Sequence, residues 1–141
     1  MEFGTLKDKV IVVTGGTGVL GASFVSSISR MGGKVAILGR KLEVAAERAA
    51  AIESGGGEAM AVMADVMDLQ SLDAARAEVI SRFGRIDGLV NAAGGNMPGA
   101  VINPDQDIFS LDLNAFNQVL SLNLQGSIQA TQVFGPEIAK V

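Results

Sequence analysis

Histidine, cysteine, tyrosine and tryptophan are all missing from these 141 residues. Without His or Cys, zinc sites built on those ligands and Ser-His or Cys-His nucleophilic catalysis are excluded, and no metal site is expected. Without Tyr, no phenol in this chain can act as a general acid or base. The absence of cysteine fits the cytosol, and a cytoplasmic location is the expectation. No apolar run reaches the ~18 residues of a membrane span, so no membrane partner is expected. Met1–Asp8 lacks the charged and apolar regions of a signal peptide, and Glu2–Thr5 reads as a cloning remnant. Positive charge is also short: 11 Lys and Arg against 15 Asp and Glu give a net charge of −4. No basic cluster exceeds Arg40-Lys41, which argues against a nucleic-acid partner.

What is present describes a globular chain. Hydrophobic residues make up 48% and charged residues 18%, outside the range of disordered segments. At this length a single domain, residues 1–141, buries about 70% of its extended-chain surface. No linker or low-complexity stretch divides it.

Glycine is the plentiful residue, 18 in all, and its placement is informative. The β-branched run Val10–Val13 ends in Thr14-Gly15-Gly16-Thr17-Gly18-Val19-Leu20-Gly21, and an amphipathic segment follows from Ala22 to Met31. Strand, then Gly16-x-Gly18-x-x-Gly21, then helix is the context of a dinucleotide-binding turn. Glycine allows a tight turn and close approach to a pyrophosphate, and the helix start offers unpaired N–H groups. The bland alternative is a glycine-rich turn that binds nothing.

The pattern then repeats. Val35–Leu38 reads as a strand, Leu42–Ser54 as an alanine-rich helix stopped by Gly55-Gly56-Gly57, and Ala59–Ala64 as a third strand. Leu69, Leu72, Arg76, Val79, Ile80 and Phe83 recur at helical spacing until Gly84. Leu89-Val90 leads a fourth strand into Asn91-Ala92-Ala93-Gly94, and a loop from Gly95 to Ser110 precedes a last helix from about Asp112. Gly135-Pro136 should interrupt or kink that helix. Alternating strands and helices of these lengths predict an α/β fold, a doubly wound parallel sheet with right-handed crossovers.

The last helix carries an anomaly. At 100° per residue, Phe116, Val119, Leu120, Leu124, Ala130, Val133 and Phe134 share one broad apolar arc. Asn123 and Ser127 fall at its centre, about 20° either side of Phe116. A buried amide left unpaired costs about 1–3 kcal/mol. Asn123 therefore either bonds a neighbouring backbone and merely orders the core, or serves a site.

Together these residues resemble the short-chain dehydrogenase/reductase family over the whole chain, in order. The resemblance rests on Thr14–Gly21, Gly39-Arg40, Asp65-Val66, Asn91-Ala92-Ala93-Gly94 and Asn123 in Leu122-Asn123-Leu124-Gln125-Gly126. Gly94-Gly95-Asn96-Met97-Pro98 is similar to members acting on sugar acids, the mannonate oxidoreductase (fructuronate reductase) type. The resemblance implies a Rossmann-type fold ending after the fourth strand and its helix, with the family's Ser and Tyr-x-x-x-Lys outside this chain. It also implies roles. Gly15, Thr17, Gly18 and Leu20 would line the pyrophosphate turn, and Gly21 would let the first helix pack. Asp65 and Val66 would flank the adenine. Asn91, Ala92, Ala93 and Gly94 would support the sheet and pass beside the ribose and nicotinamide. Asn123 would be the catalytic asparagine that holds a water linking the active-site lysine to solvent. A full-length parent would assemble as a homotetramer.

Cofactor choice turns on the end of the second strand. There Gly39-Arg40-Lys41 offers two cations and no carboxylate before Glu43. An acidic residue would hold a ribose 2′-OH, whereas Arg can grip a 2′-phosphate, so NADP is expected ahead of NAD. Two function classes stay open: the cofactor-binding part of an NAD(P)-dependent oxidoreductase acting on a small secondary alcohol or ketone, or a non-catalytic nucleotide- or partner-binding module.

Overall fold

A computed structural model describes residues 5–141, so the suggested cloning residues Glu2–Gly4 lie outside the described part. Four strands, β1 (Val10–Thr14), β2 (Lys34–Gly39), β3 (Ala59–Met63) and β4 (Gly88–Asn91), form one parallel sheet in the order β3-β2-β1-β4. Helices α1 (Val19–Arg30), α2 (Leu42–Ser54) and α3 (Leu69–Phe83) connect them. The chain steps outward from β1 to β3, then α3 carries it back across the sheet to β4. That reversal opens a crevice between the C-terminal ends of β1 and β4, where open parallel sheets bind ligands. Register places Thr14 opposite Asn91 at that mouth.

Period-2 alternation assigns each strand's side chains to two layers. Val10, Val12, Ala36, Leu38 and Val62 pack with Leu72, Val79, Ala130 and Phe134 on one face. Val13, Val35, Ile37 and Ala59 pack with Val25, Ile28, Ala45 and Ala49 of α1 and α2 on the other. Burial on both faces explains why the strands read as continuous apolar runs.

Boundaries shift in instructive ways. α1 starts at Val19 rather than Ala22, because Gly18 stays extended and acts as its N-cap. α3 is closed by Gly84 at φ +79°, the left-handed conformation glycine tolerates best. The last helix is not continuous. Asp112 caps α4 (Leu113–Leu120) through its side chain, a π-helical turn follows over Ser121–Gln125, and α5 runs over Gly126–Ile138. Pro136 lies within α5 without ending it. It is exposed near the end of the helix, where the Gln132 carbonyl left without its N–H partner faces water.

The apolar arc of that helix splits in two. Ala130 and Phe134 dock inward, as do Ala115 and Gly126 beside the arc, whereas Phe116, Leu120 and Leu124 are exposed, the last two at 46% and 55%. The expected burial of Asn123 is therefore corrected: it sits at the boundary between docked and open halves and is exposed.

Candidate functional site

At the mouth of the crevice the glycine turn is held by its own backbone. Gly16 N–H donates to Leu38 O at 3.0 Å and Gly18 N–H to Gly15 O at 2.9 Å. Gly15 adopts φ +62°, and a Cβ there would lie 2.6 Å from Ala93 Cα. A side chain at Gly21 would strike the Gly15 carbonyl and Gly16 Cα. Gly21 thus lets α1 start directly against the turn, rather than only against the sheet.

α1 has no side-chain cap and no acidic residue in its first turn. The N–H groups of Thr17, Val19, Leu20 and Gly21 have no hydrogen-bond partner among the described residues. Several donors thus converge at the positive end of a helix dipole, an arrangement suited to an anion. Leu20 contributes this N–H, since its side chain is exposed.

The crevice is a cavity of about 160 Å³ walled by Thr14, Gly15, Thr17, Gly18, Leu38, Gly39, Arg40, Ala64, Asp65, Val66, Ala92, Ala93, Gly94 and Leu122. Ten of the sequence-predicted residues are in that wall; Leu20, Lys41, Asn91 and Asn123 are not. The volume is below the ~300–1,000 Å³ typical of small-molecule sites, so part of a dinucleotide would lie over the open rim. Thr14, Leu38, Ala64 and Leu122 are wall residues that the sequence reading places in strands or motifs but not in the site. The first three end or follow parallel strands, and that position was the available signal.

Each wall has its own support. Thr14, buried, donates its hydroxyl to Val90 O at 3.4 Å and accepts Ala93 N–H at 3.3 Å, joining β1 to the segment after β4. Asp65 Oδ1 accepts Met67 N–H at 2.9 Å, while its own N–H donates to Ser71 Oγ at 3.0 Å. Val66 is buried against Gly126, where a Cβ would come within 2.7 Å of Val66 Cγ2. Arg40 and Lys41 are exposed at the rim, with Lys41 at the N-cap of α2. Asn91 turns away and donates to Thr131 Oγ1 on α5 at 3.2 Å.

Asn123 lies on the π-helical turn, a feature frequent at functional sites. Its Nδ2 donates to Gly95 O at 2.8 Å and Val119 O at 2.7 Å, and its Oδ1 accepts Gly95 N–H at 3.1 Å. The amide thus fastens the loop after β4 to the helix. Its own carbonyl accepts the Ser127 hydroxyl at 2.9 Å.

A short chain dehydrogenase family profile matches residues 9–140. The chain belongs to this family. It is 40% identical over 143 aligned residues to the uncharacterized oxidoreductase UxuB of Bacillus subtilis, covering 96% of this chain and 51% of that protein. It is 36% identical to an acetoacetyl-CoA reductase of Synechocystis, covering 92% of this chain and 47% of that one. Among solved structures, one from Haemophilus influenzae, provisionally described as a D-mannonate oxidoreductase with bound NAD, superposes with a TM-score of 0.85. It is 32% identical, and the match covers 96% of this chain and 52% of that one. The likeness noted in the Gly94–Pro98 loop is thus accompanied by likeness to this one provisionally described protein over 96% of the chain. The chain spans about half the length of the curated relatives it matches.

Proposed function

We propose that this chain is the cofactor-binding part of an NAD(P)-dependent oxidoreductase that moves hydride between a nicotinamide and a secondary alcohol or ketone, with a sugar acid as the substrate class. The observation that carries the reading is the set of N–H groups at Thr17, Val19, Leu20 and Gly21, without a partner among the described residues, beside a cleft walled by Asp65 and Ala92–Gly94. The site fits a dinucleotide on its own terms. The Ala92–Ala93 backbone occupies the space that a Cβ on Gly15 would need, so only glycine lets the turn close against it. The helix start has no side-chain cap among the described residues, and no acidic residue of the first turn competes with phosphate.

When bound, the nicotinamide would supply or accept the hydride. This chain's residues would orient it: the glycine turn at the pyrophosphate, Asp65 and Val66 at the adenine, and Ala92–Gly94 at the nicotinamide end. Asn123 would hold the loop after β4 in place through Gly95. With no Tyr in the sequence, these 141 residues alone would bind cofactor without turning substrate over. The sugar-acid class rests on likeness to the H. influenzae structure.

We propose NADP as the cofactor because Arg40 and Lys41 are exposed at the rim where a 2′-phosphate would arrive. NAD is the second reading, favoured by the NAD bound in the H. influenzae structure. Titrating the chain with NADPH and NADH, each with Arg40→Asp beside it, separates the two. NADPH affinity should fall about tenfold or more in the variant through loss of a charge-assisted grip. Unchanged NADPH affinity would remove the NADP reading, and binding of neither nucleotide would remove the reading as a whole.

A further inference from the structure

Arg48 projects from α2 toward the back of the glycine turn. Nothing in the sequence singles it out, since it follows Glu47 in a helix that reads only as alanine-rich. Its Nη1 donates to the Gly18 carbonyl at 2.8 Å and also to the Gly16 carbonyl. The side chain can lie there because the facing part of α1 is small. Ala22 and Ser26 line, with Arg48, a groove of about 630 Å³ between α1 and α2 that contains none of the sequence-predicted site residues.

We propose that Arg48 is a positioning residue for the anionic part of the cofactor. It clamps two carbonyls from behind so that the turn's N–H groups face the pyrophosphate. The inference rests on the nucleotide-binding reading above.

Within a planar trans peptide, the C=O of one residue and the N–H of the next point in opposite directions. Holding the Gly16 and Gly18 carbonyls toward α2 therefore directs the Thr17 and Val19 N–H groups away from it. These are two of the four donors without a partner among the described residues. The clamp also retains its charge. Arg48 forms no ion pair with a carboxylate among the described residues. Its partners are carbonyls, which neutralise only part of a full positive charge. A cation thus stands behind the helix start, adding to the field that favours an anion in front. Arg40 and Lys41, by contrast, are exposed at the rim.

The test compares the 141-residue chain with Arg48→Met, which keeps the stem, and Arg48→Lys, which keeps the charge but not the fork. Each is titrated with NADPH, NADH and adenosine, which carries no phosphate. Thermal melts and the backbone amide NMR signals of Thr17 and Val19 are followed in parallel. Arg48→Met should weaken dinucleotide binding by roughly tenfold, the size of a lost charge-assisted contact. Arg48→Lys should weaken it by about threefold, since a point charge cannot hold both carbonyls. Adenosine affinity should stay the same, and the Thr17 and Val19 signals should move less on adding NADPH.

Unchanged dinucleotide affinity in Arg48→Met overturns this inference alone, and so does an equal fall for adenosine and dinucleotide. Failure of the parent chain to bind either dinucleotide overturns the nucleotide reading and this inference with it. If Arg48→Met does not fold, Arg48→Lys decides: full dinucleotide affinity there overturns the clamp.

Discussion

Asp87 shows how much a single carboxylate can organise. It follows α3, yet its Oδ2 accepts the N–H of Val10 at 3.0 Å, fixing the first residue of β1. Arg85 and Lys9 donate to the same carboxylate. Burial by itself opposes its ionisation, but the bonds from Arg85, Val10 and Lys9 together outweigh that and hold the pKa below its ordinary 3.8. A depressed carboxylate contributes stability that is complete above its unfolded pKa and lost as pH falls through the folded one. Stability should therefore be level above about pH 5 and decline below about pH 4. Asp87→Asn should flatten that decline and cost about 1–2 kcal/mol at neutral pH. Urea melts of both proteins across this range check it. A variant with the same acid slope as the parent would show that other carboxylates carry the dependence.

At this scale the sequence was partly legible. Gly15 and Gly18 announce themselves through a local pattern, because a turn is read within a few residues, whereas Asp65 enters through the family resemblance. Asp87 and Arg48 do not announce themselves, because the backbone groups they hold lie 77 and about 30 positions away. Asn123 stood out as an oddity. Its bonds to Gly95 and Val119 match the alternative in which the amide orders neighbouring backbone.

Among the elements, α1 and the last helix depart most from simple periodicity. The apolar Val19 and Leu20 are exposed, so the amphipathic pattern began only at Ala22, while the helix begins where the turn's geometry lets it. No local signal marks the π turn over Ser121–Gln125, since a wider backbone ring leaves composition unchanged. The turn delivers Gly126 against Val66, with no room for a methyl group. Gly126→Ala should push Val66 toward the cleft, because interiors this dense transmit strain. The expected result is a loss of about 1–3 kcal/mol in stability and weaker binding of adenosine as well as dinucleotide. Thermal melts and adenosine titration check both. An adenosine affinity equal to the parent's would separate Val66 from the adenine side of the cleft.

Over the whole molecule, the order β3-β2-β1-β4 and the two packed faces follow from the alternation of apolar runs and glycine-stopped helices. That much was legible because burial on both sides leaves a strong signal in every strand. The division of the last helix between docked and open halves was not. Periodicity reports which face is apolar and says nothing of how much of it a neighbour covers. Leu113, Leu120, Leu124 and Ile128 consequently form an exposed stripe along α4 and α5. β4 stands at the sheet edge next to it, an arrangement prone to association.

The two ends of β1 are pinned by residues far along the chain. Val10 is held by Asp87, and Thr14 by its bonds to Val90 and Ala93. Folding therefore has an order built into it: three strands and two helices can assemble from near neighbours, but the crevice exists only after β4 arrives over the longest loop closure. Such closures are the slow steps of parallel sheets. A ligand seated between the glycine turn and Ala92–Gly94 would join those late-meeting segments, acting as a latch on the last step. Added NADPH should then slow unfolding, with little effect on the rate at which the first three strands form. Stopped-flow refolding and unfolding with and without NADPH would reveal the asymmetry, and equal effects on both limbs would place the crevice among the early structure.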